Sequence, residues 1–125
     1  MKKILVVEDE MMLQIVITKM IQKAGFEAID RVKSAQAAFD AVRKHGPDMI
    51  LMDVKIIGET DGIGAAREIR GFSGVPIIFL TGFSDAVSEK DLTGLEPCTL
   101  LTKPFDYQEL AGAIAKAFEL AESTE

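Results

Sequence analysis

The chain has 125 residues, 48% hydrophobic and 27% charged, with a formal net charge of −6 and one cysteine. That length suits one domain with a single good core, and the lone Cys98 excludes an internal disulfide and any multi-cysteine metal site. No apolar run approaches the roughly 18 residues of a membrane span, Met1-Lys2-Lys3 leads into too few apolar residues for a secretory signal, and an acidic chain without an Arg/Lys stripe is a poor partner for nucleic acid.

Strand and helix alternate from end to end. Residues 3–7 form an apolar run, read as a strand buried on both faces, that breaks at Glu8-Asp9. Residues 10–24 place Leu13, Val16, Ile17, Met20, Ile21 and Ala24 on one helical face, with Gly25 at the expected C-terminal cap. Residues 27–32 make a weaker strand, nearer an edge. Ser34 caps a helix over 35–45 with Ala38, Ala41 and Val42 inward, and Gly46-Pro47 ends it. Strand 48–52 runs into Asp53. A loop over 54–60 leads to a helix from Asp61 to residue 71, with Ile63, Ala66 and Ile69 inward. After Gly74 and Pro76, strand 77–80 runs into Thr81-Gly82. Residues 84–93 predict a short polar helix. Strand 98–102 runs into Lys103-Pro104. The last helix covers 107–121, with Asp106 and Glu109 at capping-box spacing and Leu110, Ala113, Ile114, Ala117 and Phe118 inward. Residues 122–125 read as a frayed tail. Strict alternation of this kind predicts an α/β fold, a doubly wound parallel sheet with right-handed crossovers, as one domain over 1–121.

If the strands are parallel neighbours, Glu8, Asp9, Asp53, Thr81 and Lys103 meet at the carboxyl edge of the sheet, where open α/β sheets hold their ligands. Clustered carboxylates repel one another unless a cation sits among them. Mg²⁺ takes oxygen ligands and keeps several waters, which suits a loose acidic set. Each residue alone has a plainer role: Asp9 as a helix cap, Asp53 as a turn cap, Lys103 as a surface lysine, Thr81 as a cap before Gly82. Together they describe phosphoryl transfer to a carboxylate, with Asp53 as nucleophile and a divalent cation screening the charge. Lys103 would act as a point charge on the phosphoryl oxygens and Thr81 as a hydroxyl donor, while Gly82 lets the backbone come close.

The segments ILVVEDE (4–10), PDMILMDV (47–54), DGIGAAREIR (61–70), PIIFLTGFSD (76–85) and LLTKPFDYQEL (100–110) carry a family likeness. Over roughly residues 2–121 the chain resembles the receiver domain of two-component response regulators, in its stand-alone, chemotaxis-regulator-like form. The resemblance implies a flavodoxin-like five-stranded sheet of order 2-1-3-4-5. It implies that Asp53 accepts a phosphoryl group from a histidine-kinase phosphohistidine. Asp9, Asp53 and the backbone carbonyl of Lys55 would ligate Mg²⁺ (or Mn²⁺), and Glu8 would act through a water. Thr81 would be the switch hydroxyl and Lys103 the phosphoryl partner. A sensor histidine kinase or phosphotransfer protein upstream, an effector protein downstream and a cytoplasmic location belong to the same expectation. So does a monomer or weak phosphorylation-dependent dimer.

Three features depart from the commonest receiver pattern. The loop from Val54 to Gly62 lacks the usual proline and is slightly longer, which resembles a receiver variant with a glycine-containing loop. Leu100 stands three residues before the lysine, where an aromatic switch residue is usual. Output would then use backbone shifts, or Phe83 or Tyr107, whose plainer roles are packing and surface exposure. Segment 86–98 carries Gly94 and Pro97, so its helix is expected to be short or mobile. His45 reads as an exposed helix-end residue and Cys98 as a small buried one. Rival readings are a receiver-like interaction module independent of phosphorylation, an Mg²⁺-dependent aspartyl phosphatase and a flavin carrier. The phosphatase would need a second Asp where Lys55 stands, and acids occupy the place of a flavin phosphate loop.

Overall fold

A strand with no polar residue in its middle has no face to offer to water, so it must lie between two layers. Residues Ile4–Val7, Met49–Met52 and Ile77–Leu80 are such stretches, and all are 0% exposed. The computed structural model describes residues 1–82 and 84–123, with Ser123 described by its backbone alone. Its elements are β1 (Lys3–Val7), α1 (Met11–Lys23), β2 (Glu27–Val32), α2 (Ala35–His45), β3 (Met49–Asp53), α3 (Gly62–Arg70), β4 (Ile77–Thr81), α4 (Glu89–Leu92), β5 (Cys98–Thr102) and α5 (Tyr107–Ser123). The five strands pair in parallel in the order β2-β1-β3-β4-β5. No helix among the described residues is long and apolar enough to cross a membrane.

The pleat sends alternate side chains to opposite faces and so divides the core in two. Leu5, Val7, Ile50, Met52, Ile77 and Phe79 pack under α2 and α3, against Ala38, Val42, Ala66 and Ile69. Ile4, Val6, Met49, Leu51, Ile78 and Leu80 pack under α1 and α5, against Ile17, Ile21, Leu110 and Ile114. The predicted caps form. Ser34 accepts from the Ala37 amide, Asp61 accepts from the Gly64 amide, and Gly46 ends α2 in the left-handed region. At the start of α5, Asp106 accepts from the Glu109 amide at 2.8 Å, and Glu109 accepts from the Asp106 amide at 3.1 Å.

The structure corrects the helix expected over 84–93, of which only Glu89–Leu92 is helical. Ala86 has φ 48°, in the left-handed region that interrupts a right-handed helix. The short turn that remains is closed by a capping box between Ser88 and Asp91. It is gripped from α3. Arg67 donates to the carbonyls of Thr93 (3.0 Å) and Asp91 (2.6 Å), and Arg70 to those of Leu95 (2.9 Å) and Pro97 (3.0 Å). Helix α5 continues to Ser123, into the stretch read as a tail, while residues 124–125 and Phe83 lie outside the described residues. His45 is half-buried rather than exposed and lies 3.6 Å from Asp30 of β2. Cys98 is likewise half-buried.

Gly62 opens α3 directly beneath the end of β3, and its amide donates to the Val54 carbonyl at 2.7 Å. A Cβ on Gly62 would overlap the Asp53 carbonyl oxygen, a backbone atom that cannot step aside, whereas one on Gly112 of α5 would meet open space. Gly62→Ala should therefore lower the urea midpoint, with a loss of more than about 2 kcal/mol. Gly112→Ala should raise stability by about 0.5–1 kcal/mol. Equal effects in one urea series would contradict the packing described at Gly62.

Candidate functional site

Strand register alone assembles the site. Val7 pairs with Met52, so Glu8 and Asp53 are the next residues on neighbouring strands. Asp53 pairs with Leu80, which puts Thr81 one step further along β4. Thr81 pairs with Thr102, which puts Lys103 one step beyond it on β5. The backbone ladder continues past the strand ends: the Glu8 amide donates to the Val32 carbonyl (2.9 Å), that of Val54 to Leu80 (3.1 Å) and that of Lys103 to Thr81 (2.7 Å). The Lys103-Pro104 peptide is cis.

Within this frame the Lys103 ammonium lies 2.8 Å from Asp53 Oδ2 and 3.0 Å from Glu8 Oε1. The side chains of Glu8 and Asp53 are only 0% and 5% exposed. Burial first, and the adjoining Asp53 second, push the Glu8 carboxyl up to about 8 against the opposing pull of Lys103. For Lys103, burial favours the neutral amine, but the bonds to Asp53 and Glu8 together outweigh it and raise its pKa. Asp53 Oδ1 accepts from the Lys55 amide at 3.1 Å. Glu8, Asp9 and Asp53 each offer an oxygen, and these oxygens lie within 4.8 Å of one another. Three carboxylates with no sulfur or imidazole among them form a donor set that fits a hard divalent cation such as Mg²⁺.

Thr81 is buried at the end of β4. The amide of Gly82 beyond it donates to Asp85 Oδ2 at 2.5 Å, and Asp85 Oδ1 lies 3.2 Å from the Lys55 ammonium. Burial pushes the Asp85 carboxyl up, but the Gly82 amide, Lys55 and Lys103 outweigh it and hold it below its usual range. Glu8, Asp9, Asp53 and Lys103 are thus gathered into one pocket, with Thr81, Gly82 and Lys55 at its wall. Two neighbours escaped the sequence reading. Gln14, a buried amide on the inner side of α1, donates to the Glu8 carbonyl at 2.6 Å. Its signal was a polar residue among the apolar positions of that helix. Asp85 carried no signal, because an acid in a short polar helix reads as solvated. Leu100 is 43% exposed on β5. Tyr107 is half-buried with the Lys23 ammonium 4.3 Å from its ring centroid, which gives it a packing role.

A 2-1-3-4-5 parallel sheet with acids, a threonine and a lysine along its carboxyl edge defines a receiver-type domain. A profile of the response regulator receiver domain matches residues 4–115. The chain belongs to that family, whose members act in two-component systems. The transcriptional regulatory protein PdtaR of Mycobacterium tuberculosis is 32% identical over 93% of this chain and 56% of its own length. This chain therefore spans little more than half of that relative. Sporulation initiation phosphotransferase F of Bacillus subtilis is 29% identical over 95% of both chains. Among solved structures, the N-terminal domain of a response regulator/sensory box/GGDEF 3-domain protein from Carboxydothermus hydrogenoformans has a TM-score of 0.85 and 30% identity, over 98% of each chain.

The Glu8 shift has a sign that can be tested. The unfolded chain releases this proton near pH 4.5, while the metal-free folded state keeps it up to about pH 8. Between those values the folded state binds more protons, so stability falls as pH rises through the window. Melting temperatures in EDTA should show that fall. The slope should flatten in Glu8→Gln. In Asp53→Asn it should move to lower pH, because the carboxylate that raises Glu8 is gone. A wild-type slope unchanged by Glu8→Gln would place the titration on another group.

Proposed function

We propose that residues 1–121 act as a phosphorylation switch in which Asp53 takes a phosphoryl group from a histidine-kinase phosphohistidine. The observation that carries this reading is the Lys103 ammonium bridging Asp53 and Glu8 beside a threonine at the neighbouring strand end. In the transfer an Asp53 carboxylate oxygen attacks phosphorus and forms an O–P bond. The donor's P–N bond breaks and its electron pair stays on the imidazole, which leaves neutral because its other ring nitrogen already carries a proton. Lys103, pre-held against Asp53 Oδ2, follows the new negative charge onto the phosphoryl oxygens, and the Thr81 hydroxyl donates to another of them. Such a reaction depends on positioning and electrostatics, so few residues suffice.

Asp9, Asp53 and the Lys55 carbonyl would hold Mg²⁺ (or Mn²⁺), with Glu8 acting through a water, and the ion when bound would screen repulsion between carboxylate and phosphoryl oxygens. The product carries about −2 charge, enough to bias a two-state loop. The domain would catalyse only its own phosphorylation and hydrolysis. Beside Lys103, an open apolar groove of Leu13, Val16, Met20, Pro104 and Phe105 suits a kinase or phosphotransfer protein. An effector protein would read the change on the side of α4, β5 and α5. A cytoplasmic location and a monomer or weak phosphorylation-dependent dimer fit this role.

Phosphoramidate with Mg²⁺ should add one phosphoryl mass to the wild type and none to Asp53→Ala, read by intact mass spectrometry. Equal labelling of both would move the chemistry off Asp53. The same protein should release no nitrophenol from p-nitrophenyl phosphate above the buffer rate. Steady turnover of that ester would instead identify an aspartyl phosphatase.

A further inference from the structure

We propose that in the unphosphorylated protein Asp85 occupies the place of a phosphoryl oxygen on the Gly82 amide, so that its loop must release this carboxylate before Asp53 is phosphorylated. The inference rests on the phosphoacceptor reading above.

Three observations carry it. First, Asp85 lies in a loop, where an acid would ordinarily be solvated, yet its side chain is only 5% exposed. Second, both of its oxygens are engaged by the pocket wall: Oδ2 accepts from the Gly82 amide at 2.5 Å, and Oδ1 lies 3.2 Å from the Lys55 ammonium. Those donors belong to the residue after Thr81 and to the residue two places after Asp53. Third, the chain turns just beyond Asp85 through φ 48° at Ala86, a region that residues with a Cβ rarely adopt. The loop that carries the inward carboxylate thus contains a sparsely populated backbone conformation.

A carboxylate oxygen and a phosphoryl oxygen are both anionic acceptors and seek the same donors. Two anions cannot share one short N–H bond, and like charges repel at that range. Docking of Asp85 and phosphorylation of Asp53 therefore exclude each other. Arrival of the phosphoryl group expels Asp85 and frees residues 84–88, which lead directly into α4. By linkage, anything that holds those residues in the released form makes phosphorylation easier.

The test compares labelling rates of the whole chain by phosphoramidate and Mg²⁺ in wild type, Asp85→Ala, Asp85→Asn and Glu10→Gln. Glu10→Gln removes a nearby exposed charge that does not touch Gly82, and so controls for general attraction of an anionic donor. Asp85→Ala should label Asp53 about tenfold faster than wild type, the effect of deleting one charge-assisted hydrogen bond from the competing state. Asp85→Asn, a neutral acceptor of the same shape, should fall between, and Glu10→Gln should stay within about twofold of wild type. In ¹⁵N–¹H spectra of the unphosphorylated protein, the Gly82 amide proton should lie downfield and move upfield in Asp85→Ala. If the wild type labels on Asp53 and Asp85→Ala is no faster than Glu10→Gln, the gate is overturned and the phosphoacceptor reading stands. An unmoved Gly82 amide overturns the gate without any phosphoryl donor. If no variant labels at all, the phosphoacceptor reading fails and the gate fails with it.

Discussion

The ammonium of Lys103 stands between two carboxylates that the sheet has withdrawn from water, and the site depends on that arrangement. Desolvating a charge costs free energy that only close, well-oriented partners offset. Here one cation serves two acids, with a third, Asp9, at the more open side. Burial, and after it the adjoining Asp53, make Glu8 hold its proton far above the ordinary carboxylate range. A site in this condition is primed for a divalent ion. Its lysine is already held between Glu8 and Asp53. None of this needs a flexible arm, because every member sits within a residue or two of a strand end.

Much of that was readable in the chain. Ile4–Val7, Met49–Met52 and Ile77–Leu80 are apolar without alternation, which left only a sheet covered on both faces. Their polar successors had to emerge at one edge once the strands were parallel. What could not be read locally was set by contacts distant in sequence. Segment 84–88 has a helix-compatible composition, but Asp85 turns inward to the Gly82 amide and Ala86 reverses the backbone. His45 looked like a helix end facing water because its neighbour, Asp30, comes from another strand. Gln14 drew no reading, because the bond from its amide to the Glu8 carbonyl joins α1 to the residue that follows β1.

The route out of the pocket follows from the same geometry. The Lys103 amide is bonded to the Thr81 carbonyl, so the ends of β4 and β5 form one mechanical unit. A movement of Thr81 would reach β5 through this main-chain bond, which involves no aromatic side chain at the position of Leu100. Tyr107 carries the Lys23 ammonium over its ring, which ties the start of α5 to α1 on the same face of the sheet. The ends of β4 and β5 thus adjoin the start of α5 on one side and the short, loop-flanked α4 on the other.

The arginines of α3 hold the segment around α4 by its main chain. Arg67 and Arg70 grip it by the carbonyl oxygens of Asp91, Thr93, Leu95 and Pro97, groups that every amino acid possesses. The exposed side chains of Glu89, Lys90 and Thr93 can change without loosening that anchorage, whereas Asp91 caps the turn, Gly94 holds φ 85°, Leu92 packs on the core and Leu95 is buried. Substitutions at those exposed positions would leave the side chains of the acidic pocket untouched.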